Sequence, residues 1–408
     1  MGKCGLHETE RQDDKMNPTD MVTELMIPRD AIAPLFKKFS FVRGELSGLL
    51  MIPEAMDEKA MAEATAWWET QTPEERMVMH SVLAALAGPQ LIADISMMSG
   101  SSTLQMTRLI MDSRKPEDPV FLLGEDTTKK YFRIERLLSR DLAINTLILH
   151  IAGTDPVLSD AILKFDLPRE ELYVLTAVID LYRRLIYNSL MNHLPVPASF
   201  GLVEIEKSVS DSYTSRDIRW LLPFILSVIP RKHTPLSGPG VRRSLARLLE
   251  LKLVVKNESP DQYSWTEPGR LLADSLAAPA YRIGLLLTGA MENGDIAMQS
   301  LILARGDSNI WLVDLGSPKT GSSFLSTVTL RDVRSVLEGI LRPSGTPRPL
   351  SGAGIQEHTG EPDTATALQA MKPQPVRASD KVVAFCRNCG SPITPGKKFC
   401  SNCGTTTR

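Results

Sequence analysis

Thr72-Pro-Glu-Glu-Arg-Met-Val-Met-His-Ser-Val-Leu-Ala-Ala-Leu-Ala is answered further along the chain by Thr266-Glu-Pro-Gly-Arg-Leu-Leu-Ala-Asp-Ser-Leu-Ala-Ala-Pro-Ala. The correspondence continues at an offset near 190 residues. Leu104-Gln-Met-Thr-Arg-Leu-Ile-Met-Asp-Ser matches Ile296-Ala-Met-Gln-Ser-Leu-Ile-Leu-Ala-Arg, and Val120-Phe-Leu-Leu-Gly-Glu-Asp matches Ile310-Trp-Leu-Val-Asp-Leu-Gly. Each copy closes on a helical apolar stripe: Ile144, Leu147, Ile148 and Ile151 in the first, Val333, Val336, Leu337 and Ile340 in the second. An internal repeat must be recognised before any other assignment, because it fixes the unit that folds. Alternating apolar runs between turn clusters read as strands, so each unit is a helix, an antiparallel meander and a helix. Thr329 with Asp332 marks the cap of the last helix. The fold class is α+β, with the meanders placed about a pseudo-twofold axis, either in one sheet or back to back.

The remaining chain divides around these units. Residues 1–26 are polar and charged and are expected to be disordered; residues 27–151 form the first α+β repeat. A helical insert follows at 152–230, led by a long amphipathic helix whose apolar positions include Leu172, Leu175, Val178, Leu181, Leu185 and Leu190. Residues 231–280 form a distinct helix–hairpin–helix segment, and 281–342 complete the second repeat. Six prolines among Gly, Ser, Thr and Ala make 343–381 a flexible linker. Residues 382–408 form the last module.

That module carries Cys386-Arg-Asn-Cys389-Gly390 and Cys400-Ser-Asn-Cys403-Gly404. Two Cys-x-x-Cys pairs at this separation supply the four soft thiolates that close a tetrahedral structural Zn²⁺ site. Glycine after each pair lets backbone N–H groups turn toward the sulfurs. The segment resembles small zinc-ribbon modules, in which the metal is structural. Cys386, Cys389, Cys400 and Cys403 are therefore the metal ligands, with one Zn²⁺ per chain. With only five cysteines in 408 residues and no apolar leader, the expected compartment is the reducing cytoplasm. The longest apolar run, Trp220–Ile229, is far too short to span a membrane.

Ser237-Gly-Pro-Gly-Val-Arg-Arg-Ser-Leu-Ala-Arg-Leu-Leu-Glu opens a helix, and a hairpin turning between Glu258 and Asp261 leads to Tyr263-Ser-Trp-Thr-Glu-Pro-Gly-Arg. The succession is similar to the winged-helix family, which implies that Arg242, Arg243 and Arg247 face outward, where a recognition helix meets duplex DNA. A solvated outer face or a protein-docking role is the competing reading, favoured by the acids at the hairpin tip and by a whole-chain net charge of −2.

A duplicated sheet-plus-helix body with pseudo-twofold symmetry resembles the EspG-like chaperones of type VII secretion. The resemblance is architectural, rests on no shared motif and assigns no residue. No nucleophile, metal-paired histidines or phosphate loop can be assembled; Gly316-Ser-Pro-Lys-Thr-Gly321 lacks the lysine that should follow its second glycine. The expected function is a non-enzymatic adaptor with a protein partner, the alternatives being a DNA-binding regulator and a secretion-type chaperone.

Overall fold

The computed structural model describes residues 24–341 apart from 54–56, 101–102, 113–117, 126–127, 129, 138, 154–162, 230–233, 291–294, 308 and 317–321. The polar N-terminus up to residue 23, the linker and the cysteine module lie outside the described residues. In chain order, the first half contains β1 (Glu24–Pro28), α1 (Arg29–Lys38), a 3-10 turn (Glu45–Leu50), α2 (Glu58–Glu69) and α3 (Pro73–Ala87). It continues with β2 (Leu91–Ser99), β3 (Thr103–Met111), β4 (Val120–Glu125), β5 (Tyr131–Leu137) and α4 (Arg140–Ala152). The second half opens with β6 (Lys164–Pro168), α5 (Arg169–Asn192), β7 (Phe200–Gly201), α6 (Leu202–Thr214), α7 (Leu221–Ser227) and α8 (Gly238–Glu250). It ends with β8 (Val254–Lys256), β9 (Gln262–Trp265), α9 (Glu267–Ala277), β10 (Tyr281–Ala290), β11 (Ile296–Arg305), β12 (Ile310–Asp314), β13 (Ser322–Val328) and α10 (Leu330–Ile340).

Local chemistry fixes the helix starts. Thr72 accepts from the Glu75 N–H at 3.2 Å while the Glu75 carboxylate accepts from the Thr72 N–H at 2.8 Å, a reciprocal cap. Thr329 and Asp332 form the same pair at 3.2 and 2.9 Å, as their spacing predicts.

Of the two arrangements open to the meanders, the chain adopts the single sheet. Ten antiparallel strands run in the order β1-β5-β4-β3-β2-β10-β11-β12-β13-β6, which reads alike outward from the β2–β10 pair. That central pair runs in register from Leu91 opposite Gly289 to Ser99 opposite Tyr281. Both outer strands are five residues long and end in proline, which removes a ladder donor from an open edge.

The edge strands differ from the sequence expectation. Glu24-Leu-Met-Ile-Pro28-Arg29-Asp30 and Lys164-Phe-Asp-Leu-Pro168-Arg169-Glu170 share one pattern, and each runs straight into a helix. Pro28 sits opposite Tyr131, the first residue of β5, and Pro168 opposite Ser322, the first residue of β13. Arg29 reaches the Met51 carbonyl at 3.4 Å, and Arg169 reaches the Leu315 carbonyl at 2.5 Å. The stretch 152–230, read from the sequence as a helical insert, also supplies an edge strand, and its long helix is the counterpart of α1. The offset between halves grows from 140 residues at Pro28 and Pro168 to 194 at Thr72 and Thr266. The extra chain lies in the longer α5 and in the elements from β7 to β9.

Side chains alternate across the strands and divide the core by face. On one face, α1–α3 cover the first half through Ile32, Phe36 and Leu83 against Ile27, Ile110, Phe121 and Phe132. On the same face of the second half, α5–α9 bury Leu175, Val178, Phe224 and Leu272 against Phe165, Ile302, Trp311 and Val313. On the opposite face, α4 and α10 lie over the centre, with Ile144, Leu147, Val333 and Leu337 against Ile95, Leu285, Leu301 and Leu303. Arg334 donates to the Asn145 amide oxygen across that helix pair.

Gly284 lies in β10, where a Cβ would stand 2.4 Å from Val228 and 3.2 Å from Phe224. Gly284→Ala should cost about 1–3 kcal/mol by overpacking, read as a lower denaturant midpoint with an unchanged slope.

Candidate functional site

The segment from α8 to α9 is built around two close approaches. Ser237 caps α8 by accepting from the Gly240 N–H at 3.4 Å, and Pro239 sits in the first turn, where no donor is lost. The hairpin β8–β9 turns at Asp261, a left-handed residue with φ 58°, and β7 adds a third strand beside β9. Thr266 then donates to the Lys252 carbonyl at 2.6 Å while accepting from the Gly269 N–H at 3.1 Å. A Cβ on Gly269 would lie 1.8 Å from the Leu253 carbonyl oxygen, so only glycine lets α9 close against β8.

The three arginines predicted to face outward on α8 do not form a bare basic surface. Arg242 is exposed but lies 3.6 Å from the Glu206 carboxylate of α6. Arg247 is half-buried, 2.8 Å from Glu250 and 3.9 Å from Glu171 of α5. Arg243 is exposed. Such pairs are individually weak, about 0–1 kcal/mol, and the carboxylates reduce the local positive potential that phosphate binding uses. Burial raises the Glu171 carboxyl pKa, opposed by Arg247.

A polar cluster that the sequence did not disclose lies between α5, α7 and β10. The Asp180 carboxylate is buried and accepts from the N–H groups of Leu221 and Leu222 at 2.7 and 2.9 Å. Arg183, one turn on, donates to the Arg219 carbonyl at 2.8 Å and to the Tyr187 hydroxyl at 3.2 Å. The Trp220 ring contacts two guanidinium groups, those of Arg183 at 5.0 Å and Arg184 at 4.8 Å from its centroid. Arg282 is 1% exposed, faces the Phe224 ring at 5.2 Å and donates to the Ile218 carbonyl at 3.2 Å. Burial, reinforced by Arg183, brings its pKa down to about 10, although Asp180 and Asp217 oppose the shift.

This cluster anchors α5 just before its last turns, whose side chains are mostly exposed. Five of the 17 exposed large apolar side chains among the described residues fall within ten residues here. They are Tyr187 (43%), Leu190 (65%), Met191 (81%), Leu194 (63%) and Val196 (42%). The helix ends in a left-handed cap: His193 has φ 53° and ψ 36°, and its N–H donates to the Leu190 carbonyl while that of Leu194 reaches Ser189 at 2.9 Å. For a residue with a Cβ this conformation costs about 1–2 kcal/mol. In such a cap the residue after the left-handed one usually packs on an apolar residue of the last turn. Ser189 occupies that place and donates to the Pro195 carbonyl at 3.2 Å, and Leu194 stays exposed.

Among the described residues no group of three or more His, Cys, Asp or Glu could hold a metal ion. No described helix is long and apolar enough to cross a membrane. Residues 385–407, which contain Cys386, Cys389, Cys400 and Cys403, match the zinc-ribbon domain, so the chain ends in a zinc-ribbon module. No curated protein matches the chain. Among solved structures it is similar to the type VII secretion system chaperone EspG5 of Mycobacterium tuberculosis, determined in complex with the PE25-PPE41 dimer. That similarity has 11% identity and a TM-score of 0.39, over 78% of this chain and 96% of the other.

Burial pushes the Asp180 carboxyl from its ordinary 3.8 up to about 6, against the pull of the Leu221 and Leu222 N–H groups and of Arg184 and Arg183. The folded chain thus keeps a proton there that the unfolded chain has already released. This group's contribution falls as pH rises from 3.8 to 6, by at most about 3 kcal/mol. Unfolding curves of wild type and Asp180→Asn across that range should show the stability difference shifting in the variant's favour as pH rises.

Proposed function

We propose that this protein is a non-enzymatic cytoplasmic adaptor or chaperone-type interaction protein. Its α+β body engages a protein partner, and its tail holds one structural Zn²⁺ through Cys386, Cys389, Cys400 and Cys403. The observation that carries this reading is the gathering of exposed apolar side chains from Tyr187 to Val196 on a fixed helix end. Clustered exposed apolar surface is the mark of a docking site, whereas scattered single residues are ordinary. Duplex DNA at Arg242, Arg243 and Arg247 is the less supported reading, since two of the three face carboxylates.

Four cysteine thiolates are the donor set of a closed tetrahedral site, leaving no open position for substrate. The ribbon matches on its own 23-residue stretch, 385–407, which supports a metal that serves the fold of that module.

Affinity capture of the full chain from native lysate should enrich at least one stoichiometric protein partner; recovery of the chain alone would count against the adaptor reading. Plasma mass spectrometry should find about one zinc per chain. Cys386→Ser and Cys400→Ser should each lose it while the unfolding of the body stays as in the wild type. Full zinc in either variant would refute the four-thiolate site.

A further inference from the structure

We propose that the projecting end of α5 is the docking surface for an amphipathic helix of a partner protein, its apolar stripe flanked by acidic side chains. The inference rests on the protein-interaction reading and adds the surface and the chemistry of the partner.

Three observations lead there. Tyr187, Leu190 and Met191 are spaced i, i+3 and i+4, and Leu194 follows in the cap, so the exposed side chains form one ridge along the helix face. Ridges of this spacing pack into the grooves of a second helix. The ridge is also fixed in advance. Tyr187 accepts two bonds from Arg183, whose guanidinium lies over Trp220, and the cap is closed by the Ser189 carbonyl. A partner would therefore find the surface already ordered, with little entropy left to lose.

The charge pattern selects the partner. Residues 181–203 carry Arg183 and Arg184 and no Asp or Glu. Arg184 is half-buried, stacked on Trp220 and one helical turn before the apolar ridge. An apolar stripe edged by carboxylates meets both features at once. A second copy of this chain fits less well, because a twofold contact through the same patch sets arginine near arginine.

The test uses the full chain and two labelled synthetic helices of about 18 residues, five turns long. They share one leucine stripe, flanked by Glu in one peptide and by Lys in the other. Fluorescence anisotropy should show the Glu peptide binding about tenfold or more tightly than its Lys isomer. The double variant Leu190→Ser, Met191→Ser should weaken the Glu peptide by about tenfold or more. Its thermal melt should not move, since both side chains are mostly solvent-exposed. Arg184→Glu should reverse the preference between the peptides. Equal affinity for both peptides, no affinity for the Glu peptide, or undiminished binding by the double variant would each overturn the proposal. A dimer in sedimentation that the double variant turns into a monomer would overturn it in favour of self-association. Repeating the lysate capture with the double variant separates the two readings. Undiminished recovery of the partner removes this surface and leaves the adaptor function standing, whereas no partner for either chain removes both.

Discussion

The β2–β10 ladder is the constraint on which the rest of the body depends. Each half of the chain builds a five-stranded antiparallel sheet that would otherwise expose a long inner edge. Nine registered residue pairs from Leu91–Gly289 to Ser99–Tyr281 consume both inner edges together. Among the described residues the outer strands are then β1 and β6, each short and closed by a proline. The same join creates the central platform under α4 and α10. Those helices bury Ile144, Leu147, Val333 and Leu337 on strands from both halves, so neither half could complete that core alone.

Symmetry ends on the other face. The first half covers its strands with short helices, α1 having 10 residues, whereas the second places α5, with 24, on the same starting motif. At 1.5 Å per residue α5 is about 36 Å long, while a five-residue strand such as β6 covers about 17 Å. The surplus length is covered first by α6–α9, and beyond them most of its side chains are exposed. The features that separate the two halves, an extended helix and the elements inserted behind it, are also where the buried ionic cluster and the apolar ridge occur.

The parts of this fold that were legible in the sequence are those with their own periodicity or cap chemistry. The meander strands, the apolar faces of α4 and α10 and the Thr329–Asp332 cap fall into this class, as does the cysteine spacing that marks the ribbon. The edge strands were not legible. Five residues are too few to establish an alternation, and the change of offset from 140 to 194 removes β6 from any alignment built on the later strands. Asp180 was hidden for a different reason. On a helical wheel it reads as an ordinary polar position, and only the N-terminus of α7, 41 residues away, makes it a buried acceptor. Leu190 misled in the opposite direction. It continues the apolar stripe that starts at Leu172, and periodicity cannot say where along a helix the covering partner stops.

The buried ions and the bare ridge belong to one physical problem. Burying Asp180 and Arg282 costs stability, as the upward shift of one and the downward shift of the other record, and apolar residues of similar volume would often serve the fold as well. What an apolar replacement could not supply is direction. The Asp180 carboxylate fixes two N–H groups of α7, Arg183 ties the preceding loop to Tyr187, and the guanidinium groups of Arg183 and Arg184 both lie over Trp220. Every one of these bonds ends on α5 within two turns of the exposed ridge. A helix end with no neighbour to pack on would ordinarily fray, yet this one closes with a left-handed cap at His193. The polar cluster supplies, from beneath, the order that packing supplies elsewhere along the helix.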